Sequence, residues 1–115
     1  MIPASLRIFV CVQPQDMRRG FDLLAGAAPQ LVGEDPRDGA MFVFTNRRCN
    51  QLKVLWWDRN GYCMLYKRLH QALFRPPTAT DPSDSAVLID RAVLGELLQG
   101  VATARRRERG DGSTT

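Results

Sequence analysis

The side chains best suited to binding chemistry in this chain are cations and aromatic rings, and they crowd into its middle third. Residues 41–76 carry seven basic side chains against the single acid Asp58, a local charge of +6, whereas the segments before and after are each −1. The seven are Arg47, Arg48, Lys53, Arg59, Lys67, Arg68 and Arg75. So uneven a distribution indicates a polyanionic partner more strongly than the total charge does.

The same block contains a hairpin signal. Two β-rich runs, 51–57 and 62–68, flank the turn sequence Asp58-Arg59-Asn60-Gly61. Asn60-Gly61 suits a tight type I′ turn, which predicts a β-hairpin with Lys53 opposite Arg68. A loop made by Arg59 and Asn60 would change the partners by two positions but keep the same side chains on each face, because the side-chain period is two.

The two faces of this hairpin differ in character. The face predicted to be open carries Lys53, Leu55, Trp57, Met64, Tyr66 and Arg68. The face predicted to pack on the core carries Leu52, Val54, Trp56, Cys63, Leu65, Lys67 and Leu69. Nucleic acid fits the open face, because phosphates pair with cations and rings stack on unpaired bases. The alternative is a solvated sheet face on which long basic side chains cover the rings.

The sequence lacks recognisable catalytic and metal-binding patterns. Asp16 and Asp22 fall on different faces of a helix, which disfavours a two-metal phosphodiesterase site. His70 is the sole histidine, and no serine or cysteine near it lies in a nucleophile motif. The three cysteines show no Cys-x-x-Cys spacing, which disfavours zinc binding. We therefore expect no enzyme activity, no cofactor and no metal.

Alternating apolar residues and turn signals place further strands around the hairpin. They are predicted near 6–11, at 41–45 and at 86–89, and residues 73–75 are expected to extend the sheet. With two helices packed on the sheet, the fold class predicted is α+β, mainly antiparallel, with the hairpin at its centre.

Two amphipathic segments predict these helices. The first is expected to be capped by Asp16, to bury Phe21 and to end or kink at Pro29. The second is expected to begin at the cap Asp90 and to close at Gly100.

Length and composition define the class of protein. A chain of 115 residues that is 44% hydrophobic makes one globular domain. We predict a domain over 1–102 and a basic, then polar, flexible tail over 103–115. No segment approaches the roughly 20 apolar residues of a membrane span, and the first residues do not form a secretory signal. We expect a cytoplasmic protein without membrane contact.

Motifs in a fixed order give the chain a family resemblance. It resembles the TnpB-type accessory protein, the second reading frame product, of the bacterial insertion-sequence family numbered 66. The motifs are Asp16-Met17-Arg18-Arg19-Gly20-Phe21-Asp22, Phe42-Val43-Phe44 with Asn46-Arg47-Arg48, Lys53-Val54-Leu55-Trp56-Trp57-Asp58, and Gly61-Tyr62 through Tyr66-Lys67-Arg68-Leu69. The resemblance implies a protein that is encoded beside a separate transposase, supports transposition and has no catalytic residues of its own.

Two functional hypotheses follow. In the first, the chain binds transposon DNA or the transposase–DNA complex. In the second, it is an adaptor that binds the transposase without touching DNA, with Trp57 and Tyr66 as anchors. The candidate binding residues are Arg18, Arg19, Arg47, Arg48, Lys53, Trp57, Tyr66 and Arg68.

Overall fold

A computed structural model describes residues 6–103, apart from the side chain of Pro36, and shows a five-stranded sheet with a helix on each face. The elements in chain order are β1 Arg7–Cys11, α1 Phe21–Leu31, β2 Ala40–Thr45, β3 Gln51–Asp58, β4 Gly61–Arg68, β5 Ala72–Leu73, β6 Ala86–Ile89, α2 Arg91–Gln99 and β7 Val101–Ala102. The sheet order is β4-β3-β2-β1-β6, in which only β1 and β2 run parallel. The predicted α+β class and mainly antiparallel sheet are confirmed. The hairpin of β3 and β4 lies at one end of the sheet rather than at its centre, because β4 is an edge strand.

The central strands bury both of their faces. All six residues of β2 are buried, as expected for a strand covered by helices on both sides. On one face Ile8, Met41 and Val54 pack with Leu94 and Leu97 of α2. On the other, the aromatic and aliphatic side chains Phe42, Phe44 and Leu55 pack with Leu24 and Ala28 of α1.

The hairpin face predicted to be open is covered along β3, whereas Tyr66 of β4 on the same face is 52% exposed. Leu55 and Lys53 both belong to the face predicted to be exposed, yet Leu55 is fully buried and Lys53 is only 7% exposed. The hairpin pattern alone does not reveal the cover, because α1 is formed by a distant stretch of chain. Trp56, on the predicted core face, is half-buried and packs against the α2 side of the core.

The hairpin register differs from the predicted one by two positions. Gly61 pairs with Asp58, which leaves Arg59 and Asn60 as the loop, and Lys53 lies opposite Tyr66 rather than Arg68. Arg59 takes up the positive φ of 57° that a tight loop requires. The side chains sharing each face are as predicted, because the shift is even.

The first helix begins later than the sequence pattern predicts. The prediction that Asp16 caps this helix is wrong. The N-cap residue of α1 is Gly20, so the helix begins without a side-chain cap. Phe21 was predicted to be buried, but it is 46% exposed. The buried residues of α1 are Leu24, Ala25 and Ala28. Pro29 is accommodated within the helix, which ends two residues beyond it.

The second helix follows its predicted caps. The carboxylate of Asp90 accepts a hydrogen bond from the backbone N–H of Val93 at 2.8 Å. Gly100 ends the helix with a φ of 73°. Lys67 of β4 donates to the carbonyl of Leu98 at 2.6 Å, so a cation lies at the negative end of the helix dipole.

Residues 73–75 do not extend the main sheet. Instead β5 pairs with β7 in a separate two-stranded sheet, and Phe74 is buried in the core beside α2. Of the tail predicted over 103–115, only Thr103 belongs to the described residues, and the rest lies outside them. In the part of the chain that is described, no helix is long and apolar enough to cross a membrane.

Candidate functional site

Three segments that are distant in sequence meet at an open cleft of about 490 Å³, which we call the basic cleft. It is lined by Gln15, Asp16, Met17, Arg18, Asn46, Arg47, Arg48, Gln51 and Tyr66. Three of these side chains are arginines and one is an aspartate, so the lining carries a net charge of +2. The cleft therefore favours an anionic ligand.

The parallel pairing of β1 and β2 explains why these segments meet. The carboxyl ends of parallel neighbours lie at the same edge of a sheet, so the loops that follow them are adjacent. The loop after β1 contains residues 15–18, and the loop after β2 contains residues 46–50. A backbone hydrogen bond of 2.8 Å from the N–H of Gln15 to the carbonyl of Thr45 joins them directly.

Asparagine side chains hold the second loop in shape. The Oδ1 atom of Asn46 accepts hydrogen bonds from the backbone N–H groups of Asn50 and Gln51, and its Nδ2 atom donates to Asn50 at 2.7 Å. Such side-chain to backbone bonds are a common way in which asparagine fixes a turn. Arg47 and Arg48 lie within this turn and are exposed. The loop thus presents two guanidinium groups on a braced backbone.

The first loop is organised by an ion pair. The carboxylate of Asp16 accepts from the backbone N–H of Arg18 at 2.9 Å and from its guanidinium at 2.7 Å. These hydrogen bonds from Arg18 lower the pKa of Asp16 to about 2. Asp16 is therefore ionised at neutral pH and is a poor proton acceptor. It orients Arg18, whose side chain is 91% exposed.

Lys53 and Tyr66 form the floor beside the two loops. The Nζ atom of Lys53 lies 5.1 Å from the centroid of the Tyr66 ring and donates to the carbonyl of Arg19 at 2.7 Å. The buried ammonium is thus satisfied by a carbonyl and an aromatic face. Tyr66 remains 52% exposed and lines the cleft.

The predicted site residues divide into those at the cleft and those beside or away from it. Arg18, Arg47, Arg48 and Tyr66 line it, and Lys53 lies beneath Tyr66. Arg68 is exposed and lies opposite the cleft residue Gln51 on the neighbouring strand, but it does not itself line the cleft.

The other two predicted residues have different surroundings. Arg19, also exposed, has its guanidinium 3.4 Å from the side-chain oxygen of Gln15. Trp57 lies six residues along β3 from Gln51, about 20 Å away at the usual rise per residue. It packs edge-to-face on Tyr62, with ring centroids 4.9 Å apart.

Sequence reasoning missed the amide side chains of the cleft. Gln15 and Gln51 line it, and Asn46 and Asn50 brace it. The only sequence signal for the brace is the pair of asparagines flanking the arginines, a spacing typical of a side-chain-stabilised turn. Across residues 6–103, no three His, Cys, Asp or Glu side chains gather as a metal site.

Comparison with known proteins identifies the family. The IS66 Orf2-like family matches residues 6–108, nearly the whole chain. The chain belongs to this family. IS66 Orf2-like proteins are accessory proteins of insertion-sequence transposition, so the resemblance drawn from the motifs is confirmed.

Two curated relatives from Sinorhizobium fredii extend the comparison. The uncharacterized protein y4hO is 36% identical over 103 residues, which cover 88% of this chain and 87% of the relative. The uncharacterized protein y4jC is 37% identical over 77 residues, covering 67% and 66%. No solved structure shows a significant match to this IS66 Orf2-like chain.

Proposed function

We propose that this IS66 Orf2-like protein binds the DNA of its element through the basic cleft and thereby assists the transposase. The observation that carries the proposal is the convergence of Arg18, Arg47 and Arg48 on one cleft with the exposed ring of Tyr66. Arginine is the side chain best matched to phosphate, because its planar guanidinium donates two parallel hydrogen bonds.

Binding rather than catalysis suits the chemistry of the cleft. Its lining offers guanidinium, amide, thioether and phenol groups, and its one carboxylate is engaged by Arg18. A carboxylate with a pKa of about 2 is a weak general base at neutral pH. We therefore propose a non-enzymatic role, carried out in the cytoplasm beside the transposase of the same element.

A second candidate function is that of a protein adaptor. Phe21 and Leu23, at the start of α1, are 46% and 63% exposed, and only Gly20 separates Phe21 from the Arg18-Arg19 segment. Exposed apolar side chains next to arginines are typical of protein interfaces. In this alternative the transposase covers them, and DNA is contacted only by the transposase.

A gel-shift experiment separates the two functions. The purified chain is mixed with DNA from the ends of the element, with and without the transposase. A shift by the chain alone, abolished by Arg47→Glu with Arg48→Glu, supports direct DNA binding. A shift that requires the transposase and survives the double charge reversal supports the adaptor and overturns the proposal.

A further inference from the structure

The shape and chemistry of the basic cleft distinguish between two forms of DNA. We propose that the DNA bound there is single-stranded, with one unpaired base stacked on Tyr66 and the neighbouring phosphates held by Arg18, Arg47 and Arg48. This inference rests on the proposed function and specifies its substrate class.

The surroundings of the Tyr66 ring suit an unpaired base. The ammonium of Lys53 lies 5.1 Å from the ring centroid, so one side of the ring is engaged by a cation within the protein. The ring is nevertheless 52% exposed and lines the cleft. An exposed ring beside cations is the usual platform for an unpaired base. A paired base offers no free face to such a ring unless it is first unstacked and unpaired.

Neither helix is equipped to read a duplex. Duplex readers place a helix or a strand pair in the major groove, with arginine, lysine or amide side chains pointing at the base edges. Helix α1 has no basic residue, and two of its exposed side chains are Phe21 and Leu23. Helix α2 carries Arg91 alone, balanced by Glu96. Arg18, Arg47 and Arg48 lie instead in two loops that line the same concavity.

The size of the basic cleft suits a single nucleotide. A volume of about 490 Å³ is in the range of sites that enclose small molecules. The cleft is open to solvent, and this volume leaves room for a single splayed nucleotide.

Fluorescence anisotropy of the full chain tests the inference. One probe is a labelled oligothymidylate of about 12 nucleotides, a site size usual for small single-strand binders. The other is a duplex of the same length, and both are titrated at about 50 mM salt, where phosphate contacts are strong. We expect the strand to bind at least about tenfold more tightly than the duplex.

Substitution of the ring gives the second readout. Tyr66→Leu should weaken binding of the strand by about 5- to 150-fold, with little change for the duplex. Tyr66→Phe, which keeps the ring, should retain the affinity for the strand. Trp57→Leu is the matched control, since it removes an aromatic ring from the same sheet face outside the cleft.

The outcomes are distinct. Equal or tighter binding of the duplex overturns the single-strand inference but leaves DNA binding by the cleft standing. An equal loss of affinity for both probes in Tyr66→Leu also overturns the single-strand inference and leaves DNA binding by the cleft standing. Binding of neither probe overturns the proposed function as well. Even if Tyr66→Leu does not fold, the ratio of the unmodified chain's affinities for the single strand and the duplex tests the single-strand inference.

Discussion

The ammonium of Lys53 and the ring of Tyr66 lie directly opposite each other on β3 and β4, 5.1 Å apart. The same ammonium donates to the carbonyl of Arg19. A single buried cation therefore connects the sheet, the exposed ring and the loop that carries Arg18. Lys53 positions the cleft rather than lining it.

The structural role of Lys53 can be measured by substitution. Lys53→Met should lower the free energy of unfolding by about 1–3 kcal/mol, because a charge-assisted hydrogen bond is lost and the Arg19 carbonyl loses its donor. Urea denaturation provides the measurement. Arg68→Met on the neighbouring strand is the control and should change stability by less than about 0.5 kcal/mol. Equal stability of the two variants would contradict the role assigned to Lys53.

The Asp16–Arg18 pair predicts a specific dependence of stability on pH. The pKa of Asp16 is lowered to about 2 in the folded chain, chiefly by hydrogen bonds from Arg18, against about 3.9 in an unfolded one. Its stabilising contribution is thus complete above about pH 4 and is lost as the pH falls toward about 2. We expect Asp16→Asn to flatten the stability curve in that window. Denaturation midpoints at a series of pH values measure this, with Asp22→Asn as the control. Matching curves for Asp16→Asn and the unmodified chain would refute the prediction.

The substitution Asp16→Asn should also strengthen DNA binding. Asp16→Asn removes the one acid among the described residues that line the basic cleft, so affinity should rise by about two- to fivefold at low salt. Asp22→Asn makes the same change in net charge outside the cleft and should have a smaller effect. Anisotropy titrations at two salt concentrations provide the comparison. A fall in affinity would show that Arg18 needs Asp16 to be correctly oriented.

Arg47 and Arg48 should account for part of the salt dependence of binding. Each phosphate contact contributes about 0.7 to 0.9 to the slope of log affinity against log salt. Arg47→Gln with Arg48→Gln should therefore reduce the slope by about 1.4 to 1.8 without loss of stability. The control is Arg75→Gln with Arg91→Gln, which removes the same charge from residues that do not line the cleft. An unchanged slope in the first double variant would remove these arginines from the interface.

The glycine in the middle of α2 and the glycine that ends it should respond to substitution in opposite directions. A Cβ atom on Gly100 would lie 2.5 Å from Cδ1 of Leu69, and its φ is +73°. Gly100→Ala should therefore destabilise the fold by about 1–3 kcal/mol. Gly95, inside α2, has open space around it, so Gly95→Ala should stabilise by about 0.5–1 kcal/mol. Thermal unfolding of both variants checks the pair, and a stable Gly100→Ala protein would contradict the geometry of this turn.

The sequence determined much of the local structure of this protein, but not the start of α1 or the pairing of residues 72–73. Alternation specified the strands, the Asp90 cap and Gly100 set the bounds of the second helix, and the period of two fixed which side chains of the hairpin share a face. These features depend on contacts between residues near in sequence, so pattern reasoning reaches them. The register was wrong because two adjacent loops preserve the same faces, and only pairing along the whole strand selects between them.

The tertiary structure alone decided what covers each face and where the arginines meet. Leu55 and Lys53 are buried because α1 and the loop before it pack over β3. Residues 15–18 approach residues 46–50 because β1 and β2 are parallel neighbours, which places the loops after both strands at one edge of the sheet. No local sequence pattern predicts either contact. Each contact joins segments separated by about 30 residues of chain, and it forms because it lowers the free energy of the whole fold. The candidate residues were therefore visible in the sequence, but their assembly into one cleft depended on the fold.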